Sequence, residues 1–346
     1  MVDAPPQTLA PGEAASGAGT GVRLTIVIPV FDMDSALGDA VDAAVREIGA
    51  GDEIIVVDDG SADASASVAA ARPVRLVRLA ANSGREAARL AGARAGRGRF
   101  VLFTDADAEL QPGAVEALLA PLATGRADVA VGVYSAATAA PDLVSRFKNA
   151  WIRHTFLQTS DRISFPFGCI SAMSRELFVD ASDAVGWRDD LEDFALGAEL
   201  QGRGVRFRFV PAAEVLHKRR FDVASLLAND FGRARAGTHL LLNRFGVGSI
   251  ARQRRFANIG PEYAVGALVG CSALGAAALG HGGAGVGLAL AYLAINASLL
   301  RALQRDGGLR LAGAGVLLLA LSQGAALAGG LDALLDMEKR PWARSR

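Results

Sequence analysis

Three short apolar runs confine this chain to an α/β fold: LTIVIPV at 24–30, EIIVV at 53–57 and FVLF at 100–103. Each is rich in β-branched or aromatic residues and too short for a helix. Between them lie Ala-rich stretches with helical spacing. In 35–48 the apolar residues Leu37, Val41, Ala44, Val45 and Ile48 recur on one face. Further helices are expected at 62–71, from a cap at Asn82 to about 96, and at 112–123. Strands are also expected at 74–79, where alternating arginines mark a sheet edge, and at Val129–Tyr134. Strand–helix alternation with short connections predicts a mostly parallel, doubly wound sheet.

Two of these runs end in acid. The second leads into Asp58-Asp59-Gly60-Ser61, and the third into Thr104, Asp105, Ala106 and Asp107. Open α/β sheets bind ligands beyond the C-terminal ends of their strands. Two carboxylates one residue apart at such a mouth suit a divalent cation that itself holds a diphosphate. That points to an enzyme handling nucleotide-activated substrates. Taken alone, the first motif also fits a turn with a helix cap, and the second a pair of solvated aspartates.

The middle of the chain is less regular. Residues 135–160 read as mixed structure and 167–174 as a buried segment. Residues 191–201 read as a short helix carrying Glu192 and Asp193 near its start. Residues 205–210 alternate strictly, as a half-exposed strand does. From His217 to Arg255 arginine and leucine dominate, which predicts amphipathic helices at a membrane surface.

Beyond Pro261 the stretches 263–279, 286–300 and 311–335 are nearly free of charge. Each approaches the roughly 20 residues that a spanning helix needs. The pairs Gly266/Gly270 and Gly283/Gly287 would allow close helix contact. A buried Ala/Gly-rich core of a soluble domain is the competing reading. Arg252, Arg254 and Arg255, and again Arg301, Arg305 and Arg310, favour cytoplasmic loops. Three simple spans would then leave Lys339, Arg340, Arg344 and Arg346 outside, against that bias. The expected division is a disordered 1–21, a catalytic domain at 22–216, a basic interface segment at 217–260, a transmembrane region at 261–337 and a basic tail at 338–346.

With 36 basic and 36 acidic residues the formal charge is zero, so no general pull on polyanions arises and no nucleic-acid partner is expected. The two cysteines, Cys169 and Cys271, have no ligand partner at metal-binding spacing and no disulfide framework. Residues 1–21 lack the basic start and apolar core of a secretion signal. The folded region is therefore expected on the cytoplasmic side of the plasma (inner) membrane, anchored by several spans.

In order along the chain, these motifs resemble family 2 glycosyltransferases of the GT-A fold. Ile28-Pro29-Val30-Phe31 is similar to the family's IPVYN opening, and Val57-Asp58-Asp59-Gly60-Ser61 matches VDDGS. Asn82-Ser83-Gly84, with Ala87 and Gly92, resembles NxG and its Ala/Gly-rich helix. Asp105-Ala106-Asp107 stands as DxD, and Leu191-Glu192-Asp193-Phe194 resembles the ED motif. Phe31-Asp32 departs from the usual Tyr-Asn, and QxxRW is missing; His217-Lys218-Arg219-Arg220-Phe221 lies in its place.

The resemblance implies a Rossmann-like catalytic domain and an inverting transfer of sugar from a nucleoside-diphosphate donor to a lipid or membrane-proximal acceptor. Asp59 would accept a hydrogen bond from the base, with Asp58 nearby and Pro29 and Phe31 walling the pocket. Arg85 would reach a phosphate or pair with an acidic neighbour. Asp107 would ligate Mg²⁺ or Mn²⁺, with Asp105 on the ribose or the metal's shell. Asp193 would be the general base and Glu192 would orient the acceptor. His217, Arg219 and Arg220 would bind diphosphate or lipid phosphate, or face anionic headgroups. Cys169 is expected to be buried packing without catalytic duty. Two alternatives are a polyprenyl-phosphate glycosyltransferase, whose acceptor needs no base, and a membrane protein that binds nucleotide sugar without turnover.

Overall fold

The computed structural model describes residues 21–158, 163–186, 192–245 and 261–337. The expected disordered start to residue 20, Arg252, Arg254, Arg255 and the basic tail lie outside them. One sheet organises the N-terminal part. Its strands are β1 (Leu24–Val30), β2 (Glu53–Asp58), β3 (Arg75–Arg78), β4 (Phe100–Thr104), β5 (Ala108–Leu110), β6 (Val129–Tyr134), β7 (Ile170–Ser174) and β8 (Phe207–His217). They lie in the order β3-β2-β1-β4-β7-β6-β8-β5. β1 is central and buried along its whole length, which explains its unbroken apolar run. β3 sits at the edge, as its arginines predict.

The sheet is parallel in its first half, but mixed beyond β4. β7 runs antiparallel to both β4 and β6, and β5 is antiparallel to β8. The side-chain period of two sends β1 residues to opposite faces. Leu24, Ile26, Ile28 and Val30 pack with Leu37 and Val41 of α1 (Asp34–Glu47) and Leu118 of α4 (Ala114–Ala123). Val27 instead packs with Ala88 of α3 (Arg85–Ala95), Phe178 of α6 (Arg175–Val185) and Leu200 of α7 (Glu192–Gly202). A small α2 (Ser65–Ala70) follows the DDGS turn. There Gly60 takes φ +80° with its Cα against the Ala81–Asn82 backbone, where a Cβ would lie 2.9 Å from Ala81 C.

Several local expectations change. Asn82 does not cap α3: Gly84 is the N-cap, and Asn82 Oδ1 instead accepts from the Gly84 N–H at 3.1 Å. Residues 135–160 are more regular than their sequence reads, because α5 (Leu143–Gln158) occupies most of that stretch. Its apolar positions serve two different neighbours, so no single stripe appears. The expected strand at 205–210 extends to His217.

The C-terminal helices are α8 (Val223–Phe245), α9 (Pro261–Ala278), α10 (Gly282–Ile295) and α11 (Ala297–Met337). α8 does not lie alone on a surface. Leu226 packs with Phe147 of α5 and Leu303, Leu311 and Leu318 of α11. A buried polar chain crosses the same junction: Lys148 donates to Asp230, which also accepts from Ser322. Arg235 binds Asp332 at 2.6 Å and Asp336 at 3.0 Å. The basic residues 301–310 flank a break in α11: Gly307 and Gly308 have non-helical angles, so two helices meet there across a kink rather than a longer loop. Among the described residues Ala297–Asp336 is the one helix long and apolar enough to cross a membrane. Tyr263–Ala278 and Gly282–Ile295 are shorter. Of the glycine pairs, Gly266 and Gly270 face Gln323 and Tyr292 closely, whereas nothing lies within 4 Å of where a Cβ would stand on Gly283 or Gly287.

Candidate active site

Parallel pairing puts the C-terminal ends of β1, β2 and β4 along one sheet edge, and the residues that follow them line a single cavity of about 980 Å³. Pro29, Phe31, Asp59, Arg85, Asp105, Asp107, Asp193, His217 and Arg219 all reach its wall. Asp58 and Arg220 fall outside it. Asp58 is fully buried in structural work, accepting from Ser61 N–H at 2.9 Å and Arg78 Nε at 3.0 Å. Arg220 is exposed. Glu192 opens α7, but its side chain lies outside the described residues.

Asp59 stands in the cavity wall. Its two oxygens accept from Ser83 N–H at 2.8 Å and Gly84 N–H at 2.9 Å, which ties the DDGS turn to the NxG loop. Phe31 is 42% exposed on the rim, free to present its ring face to a planar ligand.

The DxD turn is fixed by strand pairing. β5 begins directly after Asp107 and pairs with the end of β8, so Ala108 stands opposite His217. His217 Nε2 thereby comes to 3.6 Å from Asp107 Oδ2, and its ring stacks on Tyr134 at 4.6 Å. Burial raises the Asp107 carboxyl above its ordinary range, and the charge of Asp105 adds to this while His217 opposes it. Burial likewise lowers His217, with Arg219 and Arg85 adding to the effect.

Asp105 is the more heavily bonded of the two aspartates. Burial disfavours its charge, but Arg89, Arg85 and the Cys169 thiol together hold its pKa down at about 2. Arg89 Nη2 lies 3.0 Å from Oδ1, and Cys169 Sγ donates to Oδ2 at 2.8 Å. Cys169 therefore does more than pack. Burial and the neighbouring Asp105 push its thiol well up, so it stays a hydrogen-bond donor. Among the described residues no group of three metal-ligating side chains forms.

Arg89 is the residue that sequence reading misses. It is 2% exposed, pairs with Glu86 one turn earlier, and reaches both Asp105 and Asp193. Its position in an Ala-rich helix carries no sign of this, since a helical arginine is ordinarily solvated. Asp193 Oδ1 lies 3.2 Å from Arg89 Nη1, and its Oδ2 accepts from Gly168 N–H at 3.3 Å. Gly168 sits directly on the guanidinium; a Cβ there would come within 2.7 Å of Arg89 Cζ.

Comparison with known proteins covers the N-terminal part of the chain. Residues 25–180 match the description "Glycosyl transferase family 2". The succinoglycan biosynthesis protein ExoO of Rhizobium meliloti is 33% identical over 111 residues, 31% of this chain and 32% of that protein. An undecaprenyl-phosphate 4-deoxy-4-formamido-L-arabinose transferase of Pseudomonas paraeruginosa is 36% identical over 111 residues, 30% of this chain and 33% of that protein. The matched part thus spans about a third of each relative's length. A mannosyltransferase from Pyrobaculum calidifontis, solved with GDP-Man and Mn²⁺, shares the fold at a TM-score of 0.54 and 16% identity, over 91% of this chain and 87% of that one. The sheet order, the DxD turn and the family match agree: residues 25–180 belong to a family 2 glycosyltransferase domain of the GT-A fold.

Proposed function

We propose that this chain transfers a sugar from a nucleoside-diphosphate donor to an acceptor delivered from the membrane side, with inversion at the anomeric carbon. The observation that carries this reading is the convergence of Asp59, Asp105, Asp107 and Asp193 on one cavity from widely separated parts of the chain. Asp59 and Phe31 would hold the nucleoside, and Arg85 the diphosphate. His217 would stand beside Asp107 at 3.6 Å and face the diphosphate.

The donor set fits Mg²⁺ or Mn²⁺. Asp107 offers a hard carboxylate with no hydrogen bond from His217, while both Asp105 oxygens are already engaged. Asp107 would be the direct ligand, with the donor's phosphates and water completing the shell. A bound cation would offset the charge that builds on the departing diphosphate. With a hydroxyl acceptor, Asp193 would take the proton as the oxygen attacks, with Glu192 orienting the acceptor. A phosphate acceptor needs no base, and the continuation of the cavity between α8, α9 and α11 favours that second reading.

Exposed Leu268, Leu290, Leu317, Leu331 and Leu335 line the outer surface of α9, α10 and α11. An apolar surface of this extent fits a bilayer, with the catalytic domain on the cytoplasmic face and more than one helix contributing to the anchor. The test is release of nucleotide from UDP-, GDP- and dTDP-sugars by the purified protein with and without Mn²⁺. Metal-dependent release from one donor class is expected. Donor binding without release from any of them would make the chain a binding module instead.

A further inference from the structure

Two apolar segments compete to be the membrane anchor, and their surroundings differ. Residues 263–300 contain no Asp, Glu, Lys or Arg. They hold a helical hairpin, α9 and α10, which turns at Gly280-His281. Its root packs on α11, where a Cβ on Gly266 would stand 3.0 Å from Gln323 Nε2. Past the close approach of Gly270 to Tyr292 the hairpin leaves the rest of the molecule. Of residues 275–290 Gly285 alone is buried, and Leu279, Val286 and Leu290 are at least 62% exposed. A helix that is apolar on every side needs an apolar medium around it.

α11 is long and apolar enough to cross a membrane, yet charged neighbours hold it along its length. Leu303 and Leu318 pack with Phe147 of α5 and Leu226 of α8. Ser322 donates to Asp230, which Lys148 also binds. Gly329 meets the Phe231 backbone, and Asp332 and Asp336 bind Arg235. If α11 crossed, Lys148, Asp230 and Arg235 would be carried to hydrocarbon depth, where charged side chains are costly. Charge bias gives an independent reason. Three crossings would put Lys339, Arg340, Arg344 and Arg346 outside. A hairpin returns the chain to the side it came from, so those residues stay with Arg301, Arg305 and Arg310.

We propose that the chain enters the bilayer through the α9–α10 hairpin alone, with lipid hydrocarbon as its partner, and that α11 stays docked on the catalytic side. The outer leucines of α11 then lie along the membrane surface. The inference deepens the membrane placement given above and rests on it. Arg301, Arg305 and Arg310, all exposed, meet anionic headgroups where the hairpin returns.

Cysteine labelling of the full chain in bacterial membrane vesicles tests this. The probe is a membrane-impermeant maleimide, and Cys271→Ser removes the exposed native thiol while Cys169 is buried. Gln304→Cys, at an exposed position in the first turns of α11, and a cysteine appended after Arg346 should be labelled from the same face. Leu290→Cys should escape label from both faces until detergent is added. Alkaline carbonate should leave the wild type in the membrane. Val286→Asp combined with Leu290→Asp should lose that retention, whereas Leu317→Asp on α11 should keep it. An appended cysteine labelled from the face opposite Gln304→Cys would overturn the assignment of α11 and leave membrane attachment standing. Labelling of Leu290→Cys without detergent would overturn the hairpin's burial in lipid. A dimer cross-linked through Leu290→Cys that survives release from the membrane would make a second copy the partner instead. Release of the wild type by carbonate would remove this assignment and the membrane placement together.

Discussion

Arg89 on α3 and Asp193 at the start of α7 meet at 3.2 Å, and the same guanidinium binds Asp105 of the DxD turn at 3.0 Å. A buried arginine thus joins the DxD turn to the start of α7. Replacing it by Met leaves carboxylates in a closed site without their counter-charge. The expected cost is about 3–5 kcal/mol of unfolding free energy, read by urea denaturation. Arg89→Lys should fold better yet turn over poorly, since a point charge cannot bridge two carboxylates as a planar fork does. Wild-type stability in Arg89→Met would contradict this account.

Gly168 gives a second handle on the same contact. Its Cα presses on the Arg89 guanidinium, which is pinned and cannot swing away freely. Gly168→Ala should cost about 1–3 kcal/mol and reduce kcat, because the added methyl displaces Arg89 from Asp193. Denaturation and steady-state kinetics on one preparation decide it.

Asp107→Asn should weaken the response to Mn²⁺ about 10- to 100-fold while the protein melts near the wild-type temperature. Asp58→Asn should do the opposite, since Asp58 is buried against Ser61 and Arg78 away from the cavity. It should lower the melting temperature. A manganese titration beside a melting curve separates the two aspartates.

Asp105 sets an acid limit on stability. Its folded pKa of about 2 lies below its ordinary 3.8, so the folded state holds its proton less tightly than the unfolded chain does. The stabilisation is full above pH about 4 and is lost as pH falls toward about 2, worth on the order of 2 kcal/mol at most. In EDTA, unfolding free energy measured from pH 6 to 2.5 should fall less steeply in Asp105→Asn than in wild type. Parallel slopes would refute the assignment.

At Gly329 α11 comes against α8 so closely that a Cβ would stand 2.9 Å from the carbonyl carbon of Phe231. Gly329→Val should push the helices apart and break the Lys148–Asp230–Ser322 chain. Proteolysis between α8 and α11 should accelerate, and an unchanged digestion pattern would count against the contact.

Much of the sheet's end of the cavity was legible in the sequence, because it is built from contiguous signals. The runs ending at Val30, Asp58 and Thr104 appear as strands, and Asp59, Asp105 and Asp107 reach one cavity. What escaped depends on pairing between distant segments. The short β5 exists because β8 lies beside it, and His217 reaches Asp107 through that register alone. Arg89 and Cys169 become site residues only through burial against Asp105. The buried run at 167–174 was legible, but not the antiparallel direction of β7, because a buried run shows no direction. The C-terminal helices were read as apolar, but their docking on α5 and α8 depends on scattered polar residues such as Ser322 and Asp230.

The Lys148–Asp230–Ser322 junction also bears on how the molecule is divided. Cutting the chain before α9 would remove Ser322 from Asp230 and one wall from the cavity, even if the sheet still folded. If the proposed function holds, such a fragment should still bind a sugar nucleotide while having lost the cavity wall that α11 supplies. On the proposed function, membrane attachment and acceptor choice would then be a single inherited trait, altered together by any change to the last helix.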